Sequence, residues 1–249
     1  MESPVRIALI GAKGRMGQAI VDAAGPESGV IISASCERGD AIAPAARDAD
    51  VVVDFSHRDA TETICDACVA EKKPFVIGTT GHSPDQCATM RRAATVVPIV
   101  LAPNFSVGVN ALFFLVRKTA ELLEDGFDVE IIETHHRLKR DAPSGTAKRL
   151  SEIVAAARGW TGGDVVHGRE GMVGARPAQQ IGMHSVRAGD VIGEHTVVFA
   201  GAGERLEVTH KASSRETFAV GALRAARWIV HREPGLYTME DVLGLDRRR

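Results

Sequence analysis

The sequence predicts an α/β protein in two parts, a parallel sheet covered by helices and an α+β region with a mixed sheet. Three observations carry this. Short apolar runs at residues 5–10, 30–35, 49–56, 74–81 and 97–102 alternate with helical segments. Near-continuous apolar strands of that kind belong to a sheet buried on both faces. Beyond residue 180 the texture changes: strand candidates at 182–187, 195–200 and 205–212 follow one another with no helix between them, which points to a mixed or antiparallel sheet. A helix at 217–231 then mixes apolar and polar faces and could return to cover the first part. The expected division is 1–106, completed by 217–249, and 107–216.

Bulk composition narrows the class. With 45% hydrophobic and 25% charged residues the chain is an ordinary globular protein, and 249 residues suffice for one large core or two moderate ones. A formal net charge of −2 offers no bulk attraction to nucleic acid or an anionic membrane, so any basic site is local. Lys13-Gly14-Arg15 arrives too early for a secretory apolar region. The run 111–116 is cut at once by Arg117-Lys118, well short of the ~20 residues that span a bilayer. The cytoplasm is the expected location. Cys65-Asp66-Ala67-Cys68 has CxxC spacing, but it lies inside an apolar-periodic segment and has no second pair for a metal. Buried, reduced core thiols are expected there.

Taken in order, the chain opens with strand 5–10, the turn Gly11-Ala12-Lys13-Gly14-Arg15-Met16-Gly17, and a helix from 18 to 24 stopped by Gly25-Pro26. The glycines fall as G-x-x-G-x-x-G, one residue off the usual dinucleotide fingerprint, and the strand–turn–helix context restores the reading. Gly11 can turn tightly, Gly14 can admit a pyrophosphate, and Gly17 can let helix and strand pack closely. The helix start supplies N–H donors and partial positive charge. Strand 30–35 leads to Glu37, twenty residues after Gly17, where an acid would bind a ribose. Lys13, Arg15 and Arg38 would equally welcome a 2′-phosphate, so NAD and NADP stay open. Strands 49–56, 74–81 and 97–102 carry the alternation on, delivering Gly78-Thr79-Thr80 and Ala102-Pro103-Asn104-Phe105 to the carboxyl edge of the sheet. Ligands of such sheets lie there. The first part reads as a Rossmann-like dinucleotide-binding domain.

A helix at 107–124 precedes strand 128–134, which feeds Glu133-Thr134-His135-His136-Arg137-Leu138-Lys139-Arg140-Asp141-Ala142-Pro143-Ser144-Gly145-Thr146. Ser144 reads as the N-cap of a helix running to Gly159. Residues 160–180 are Gly-rich, with 168–176 a loop that could be mobile. The links 188–190 and 201–204 look like hairpin or bulge turns, and Arg247-Arg248-Arg249 like a solvated tail. Two histidines and three cations within six residues beside free helix N–H groups suit a small anion undergoing proton transfer. Metal ligation is the rival use, but adjacent residues on an extended segment face opposite ways. Hydrolysis at Ser144 lacks the strand–elbow context, and a solvated charged loop is the bland alternative. A dinucleotide domain favours the first reading, because hydride transfer needs a second site.

The motifs at 11–17, 78–81, 102–108, 133–146, 187–195 and 209–215 together resemble the 4-hydroxy-tetrahydrodipicolinate (dihydrodipicolinate) reductases, in order along nearly the whole chain. The resemblance implies a dinucleotide-binding domain built from both termini and a central substrate domain that forms a homotetramer through its sheet. It implies reduction of a cyclic imine dicarboxylate to tetrahydrodipicolinate by NADH or NADPH, with loss of water, in diaminopimelate and lysine biosynthesis. By position, His135 would be the proton donor/acceptor and Lys139 the proton donor, and no metal is involved. His136, Gly145 and Thr146 would hold substrate carboxylate. Cofactor contacts would come from Gly11, Ala12, Lys13, Gly14, Arg15, Met16, Glu37, Gly78, Thr79, Thr80, Ala102, Pro103, Asn104 and Phe105. Three departures stand out. The segment between Glu37 and Asp54 is short, so its helix should be reduced or missing. His57 replaces an arginine of some relatives, and Leu138 a residue that is often polar. Two rival classes are a non-catalytic dinucleotide sensor, which would not require Lys139, and another reductase of the same plan. An aldehyde dehydrogenase of that plan would need a cysteine nucleophile that 133–146 lacks.

Overall fold

Val5–Ile10 (β1) begins half-exposed and becomes fully buried by Ile7, so it sits in the middle of a sheet. The computed structural model, which describes residues 3–123, 126–160, 164–214 and 216–245, places it between Val30–Cys36 (β2) and Val51–Asp54 (β3), parallel to both. Phe75–Ile77 (β4), Pro98–Leu101 (β5) and Gly235–Tyr237 (β11) complete an all-parallel sheet of order β11-β5-β4-β3-β1-β2. Strand order reverses between β1 and β3, the switch point where such sheets bind ligands.

One face of this sheet packs on Arg15–Ala23 (α1) and Glu216–Ile229 (α7), with Ile20, Ala222, Ala226 and Ile229 against Leu9, Val53 and Val100. The helix expected at 217–231 therefore does cover the first part. Ile42–Arg47 (α2), Thr61–Ala70 (α3) and Pro84–Ala93 (α4) cover the other face around Ile64, Cys68, Phe75 and Met90. α2 has six residues: the helix after Glu37 is shortened, not lost. Cys65 and Cys68 are free thiols on the buried side of α3, and burial pushes the Cys65 thiol up to about 12.

The second sheet has order β10-β9-β6-β8-β7, from Asp128–His135 (β6), Val165–His167 (β7), Ile181–Arg187 (β8), Gly193–Gly201 (β9) and Glu204–Ala212 (β10). β6 runs parallel to β8 and antiparallel to β9, so the sheet is mixed. Val107–Leu123 (α5) and Gly145–Arg158 (α6) line one face through Leu112, Val116, Leu150 and Val154. By contacts the chain divides into Met1–Val107 with Arg215–Arg249, and Gly108–Ser214.

One expectation is corrected. The 188–190 link is not a hairpin, because β8 and β9 lie on opposite sides of β6. The 201–204 link is one, joining β9 to β10 through Ala202-Gly203. Within the Gly-rich stretch 160–180, Val165–His167 forms a short edge strand ahead of the loop read at 168–176, and Arg169 and Arg176 fasten that loop to Glu130. The strand β11 and helix Met239–Leu243 (α8) were not foreseen. The Arg247-Arg248-Arg249 tail lies outside the described residues.

Candidate active site

Alternation along β6 sends Val129, Ile131, Glu133 and His135 to the covered face. The first two are core; the last two put a carboxylate and an imidazole on the buried phase, where polar groups need partners. Arg187, at the end of β8, donates to both oxygens of Glu133 at 2.9 and 2.8 Å. The Ser144 N–H donates to the same carboxylate at 3.2 Å, and His135 Nδ1 contacts Glu133 Oε2. Glu133 is fully buried. Burial would raise its pKa, but the bonds from Arg187, His135 and Ser185 hold it at about 2.

An ionised carboxylate only accepts, so His135 carries a proton on Nδ1 and leaves Nε2 to exchange one. Burial pushes His135 below its ordinary pKa; Glu133 opposes this, while Lys139 and Arg187 add to it. His136 follows the strand end and is half-buried. A turn closed by Lys139 N–H to the His136 carbonyl brings Lys139 back, its ammonium bridging both Asp141 oxygens at 2.9 Å. Arg187 also donates to the Asp141 carbonyl at 2.7 Å, and Arg137 N–H to the Gly189 carbonyl. The 136–141 turn is thus tied to 187–189.

Ser144 caps α6 by accepting from Ala147 N–H at 3.1 Å. Gly145 and Thr146 therefore stand at the first positions of a helix start, where N–H groups lack intrahelical acceptors and the dipole favours anions. Buried His195 reaches the Ser144 hydroxyl at 2.9 Å and meets the His135 ring edge-on, centroids 5.2 Å apart. Among the described residues no group of three or more His, Cys, Asp or Glu could hold a metal ion.

The second candidate locus lies at the β1/β3 switch point. Gly11 has φ +83°, and a Cβ there would sit 2.7 Å from the Phe55 carbonyl oxygen. A Cβ on Gly17 would collide with the Gly11 carbonyl. α1 begins without a side-chain cap or first-turn acid, so its N–H groups stay available to a phosphate. A cleft of about 700 Å³ there is lined by Gly11, Gly14, Glu37, Arg38, Phe55, Ser56 and His57. A neighbouring cleft takes Arg15, Met16, Gly78, Thr79 and Thr80. Glu37 accepts from Lys13 N–H at 2.7 Å, so it also shapes the turn. Ala12, Lys13, Ala102, Pro103, Asn104 and Phe105 line neither cleft. Ala12, Ala102 and Phe105 are buried, so only their backbone could serve a ligand.

The residues that steady this cluster (Glu133, Asp141, Arg187 and His195) received no role from sequence. A carboxylate on the apolar phase of β6 was the available signal.

The buried titratable groups set an acid response. His195 is pushed to about 4, by burial first and then by His135. An unfolded histidine titrates near ~6.5, so the unfolded chain binds its proton earlier and stability falls as pH drops from there toward 4. Glu133 and Glu130, both held at about 2, extend the loss below the unfolded value of ~4.3. The urea midpoint should decline from pH 7 to 5 and again from 4 to 3; a flat profile over both intervals contradicts this.

The fold and these loci define the class: an oxidoreductase built on a doubly wound dinucleotide-type sheet. Residues 5–105 match the family "Dihydrodipicolinate reductase, N-terminus" and residues 108–243 its "C-terminus". The 4-hydroxy-tetrahydrodipicolinate reductase of Akkermansia muciniphila is 54% identical over 97% of this chain and 98% of its own. That of Anaeromyxobacter dehalogenans is 47% identical over 96% and 98%. The dipicolinate-bound dihydrodipicolinate reductase of Paenisporosarcina sp. TG-14 superposes with a TM-score of 0.75 at 25% identity, over 94% of this chain and 97% of the other. The chain belongs to the dihydrodipicolinate reductase family. It reduces 4-hydroxy-tetrahydrodipicolinate to tetrahydrodipicolinate, with loss of water, in diaminopimelate and lysine biosynthesis, using a nicotinamide dinucleotide.

Proposed function

We propose that the Met1–Val107 unit holds NADH or NADPH and that the Gly108–Ser214 unit holds the substrate dicarboxylate and moves its protons. The observation that carries this is the Glu133-clamped His135, with Lys139 on the following turn and the helix start at Gly145 beyond it. The glycine cradle and the uncapped start of α1 fit a pyrophosphate, with backbone at 11–16, 78–80 and 102–105 available to the rest of the dinucleotide. When bound, the dinucleotide supplies the hydride. The net reaction consumes one proton with that hydride and releases water. One group must give a proton and another receive and return one. Lys139, a cation released from Asp141, is the donor; His135, with Nδ1 fixed by Glu133, exchanges through Nε2. His136, Gly145 and Thr146 hold carboxylate by charge and N–H donation. Purified protein should oxidise NADH or NADPH only when given the condensation product of pyruvate and aspartate semialdehyde. Oxidation without it, or none with it, overturns the reading.

Gly145→Pro isolates the carboxylate contact. Proline is favoured at the first helical position and removes only an N–H with no helical acceptor; extended Ser144, with ψ 156°, already suits a following proline. Dipicolinate affinity should fall roughly tenfold, with the circular dichroism spectrum unchanged. Full affinity sinks the helix-start assignment.

On the cofactor side, Glu37 suits a ribose diol and exposed Arg38 a 2′-phosphate, so both dinucleotides are accepted. Arg38→Ala should raise KM for NADPH about tenfold or more, from loss of charged hydrogen bonds, and leave NADH nearly unchanged. Equal effects on both would remove Arg38 from that role. The reading also places a homotetramer in the cytoplasm, its mixed sheets apposed: Ile132 and Val186 are exposed on the sheet. Light scattering should give four copies, and a monomer at working concentration contradicts it.

A further inference from the structure

His195 is more than a filler of the core beside Glu133. It is 4% exposed, and antiparallel pairing sets it across from Glu133 on β6 and His210 on β10. The Ser144 hydroxyl oxygen already accepts from Ala147 N–H, so its own hydrogen is free to donate, and His195 Nε2 stands 2.9 Å away. A serine hydroxyl can both donate and accept, so the pair forms with either tautomer of the ring. The other ring nitrogen, Nδ1, is buried and has no partner among the described residues. A residue kept only for packing would not carry an unsatisfied buried ring nitrogen. Meanwhile the other side of the ring meets His135. A Cβ built on Gly193 would lie 3.1 Å from His135 Nε2 and 3.8 Å from His195 Cε1. The small residue at 193 therefore keeps open the space beside the nitrogen that exchanges protons.

We propose that His195 is a positioning residue for both halves of the site, setting the α6 start through Ser144 and fixing the His135 ring through its edge contact. This rests on the reading that the α6 start takes substrate carboxylate. The groups facing His195 are Glu133 and His135 from β6, Ser144 from α6 and His210 from β10. Lys139 adds charge from the turn, and Arg187 acts through Glu133.

Two variants separate the halves. His195→Phe keeps a ring edge against His135 and removes the hydrogen-bond partner of the Ser144 hydroxyl. His195→Gln keeps a group near the Nε2 position that can donate or accept, and removes the ring. Full-length wild type, both variants and Gly145→Pro are titrated with dipicolinate by calorimetry, and kcat is measured across pH with the condensation product as substrate. His195→Phe should bind dipicolinate roughly tenfold more weakly. His195→Gln should bind within about threefold of wild type. Its kcat should fall, and the pH limb reporting His135 should move upward as water replaces the ring and relieves the burial that depresses that imidazole. If Gly145→Pro weakens dipicolinate while His195→Phe binds normally, the Ser144 half is overturned. An unmoved pH limb in His195→Gln overturns the His135 half. If Gly145→Pro itself binds normally, the underlying carboxylate reading has failed instead. Equal losses of affinity and kcat in both variants, with no movement of the limb, would mark His195 as merely structural.

Discussion

Replacing Lys139 by alanine is expected to cut kcat by ~10²–10⁴-fold, the range for a lost general acid, with the fold intact. The stability side of this expectation follows from where the ammonium sits. Its carboxylate partner among the described residues is Asp141, two residues on and largely exposed, with a side chain 62% accessible. An exposed pair of this kind contributes about 0–1 kcal/mol, so Tm should move little. The same geometry makes Asp141 a holder of the lysine between turnovers. Asp141→Asn should then leave kcat within a few-fold of wild type while Lys139→Ala loses it. Steady-state turnover of the two variants side by side decides the matter; wild-type-like turnover in Lys139→Ala removes the donor role.

The largest structural effect is expected from Glu133→Gln. This carboxylate is fully buried and is held by Arg187 through two bonds and by His135, the Ser144 N–H and Ser185. Gln offers one oxygen and no charge. Removing one partner of a buried ion pair costs ~3–5 kcal/mol, because the other charge is left uncompensated. Glutamine is also uncharged at every pH, so the variant should lack Glu133's share of the acid response below pH ~4 and keep that of Glu130. His135 would lose the acceptor that fixes its tautomer, and kcat should fall at least ~10²-fold. Thermal unfolding and turnover on one preparation test both parts. A Tm within a degree or two of wild type, or near-normal kcat, would show that Glu133 is not the clamp.

How much of this was legible in sequence depends on the range over which each feature is encoded. The glycines at 11, 14 and 17 and the apolar strands are local patterns, and they placed the switch-point edge. Ser144 was readable as a cap because cap chemistry spans three residues. The pairing order of the second sheet was not, because inserting β6 between β8 and β9 needs contacts across fifty residues or more. The 188–190 link therefore looked like a hairpin when it is a crossing. The strands Val165–His167 and Gly235–Tyr237 have three residues each, too few for a period to show. α8 did leave a signal: Thr238 and Asp241 form a capping box, the pattern that marks a helix start. In the site, His135, His136, Lys139 and the helix start are contiguous and could be read together. Arg187 and His195 lie some fifty residues away and join them only through the sheet. Glu133 sat inside the quoted stretch, yet its role depends on which phase of β6 faces the helices.

The central claim is a division of labour: Lys139 and His135 handle protons, and the start of α6 with His136 holds carboxylate. Measuring kcat and dipicolinate affinity for Lys139→Ala and Gly145→Pro, with wild type on the same day and buffer, tests it most directly. The account predicts that Lys139→Ala loses turnover by ~10²–10⁴-fold with a much smaller change in affinity. It predicts that Gly145→Pro loses affinity roughly tenfold and keeps most of its turnover at saturating substrate. If the two variants lose the same quantity to the same extent, the division is contradicted.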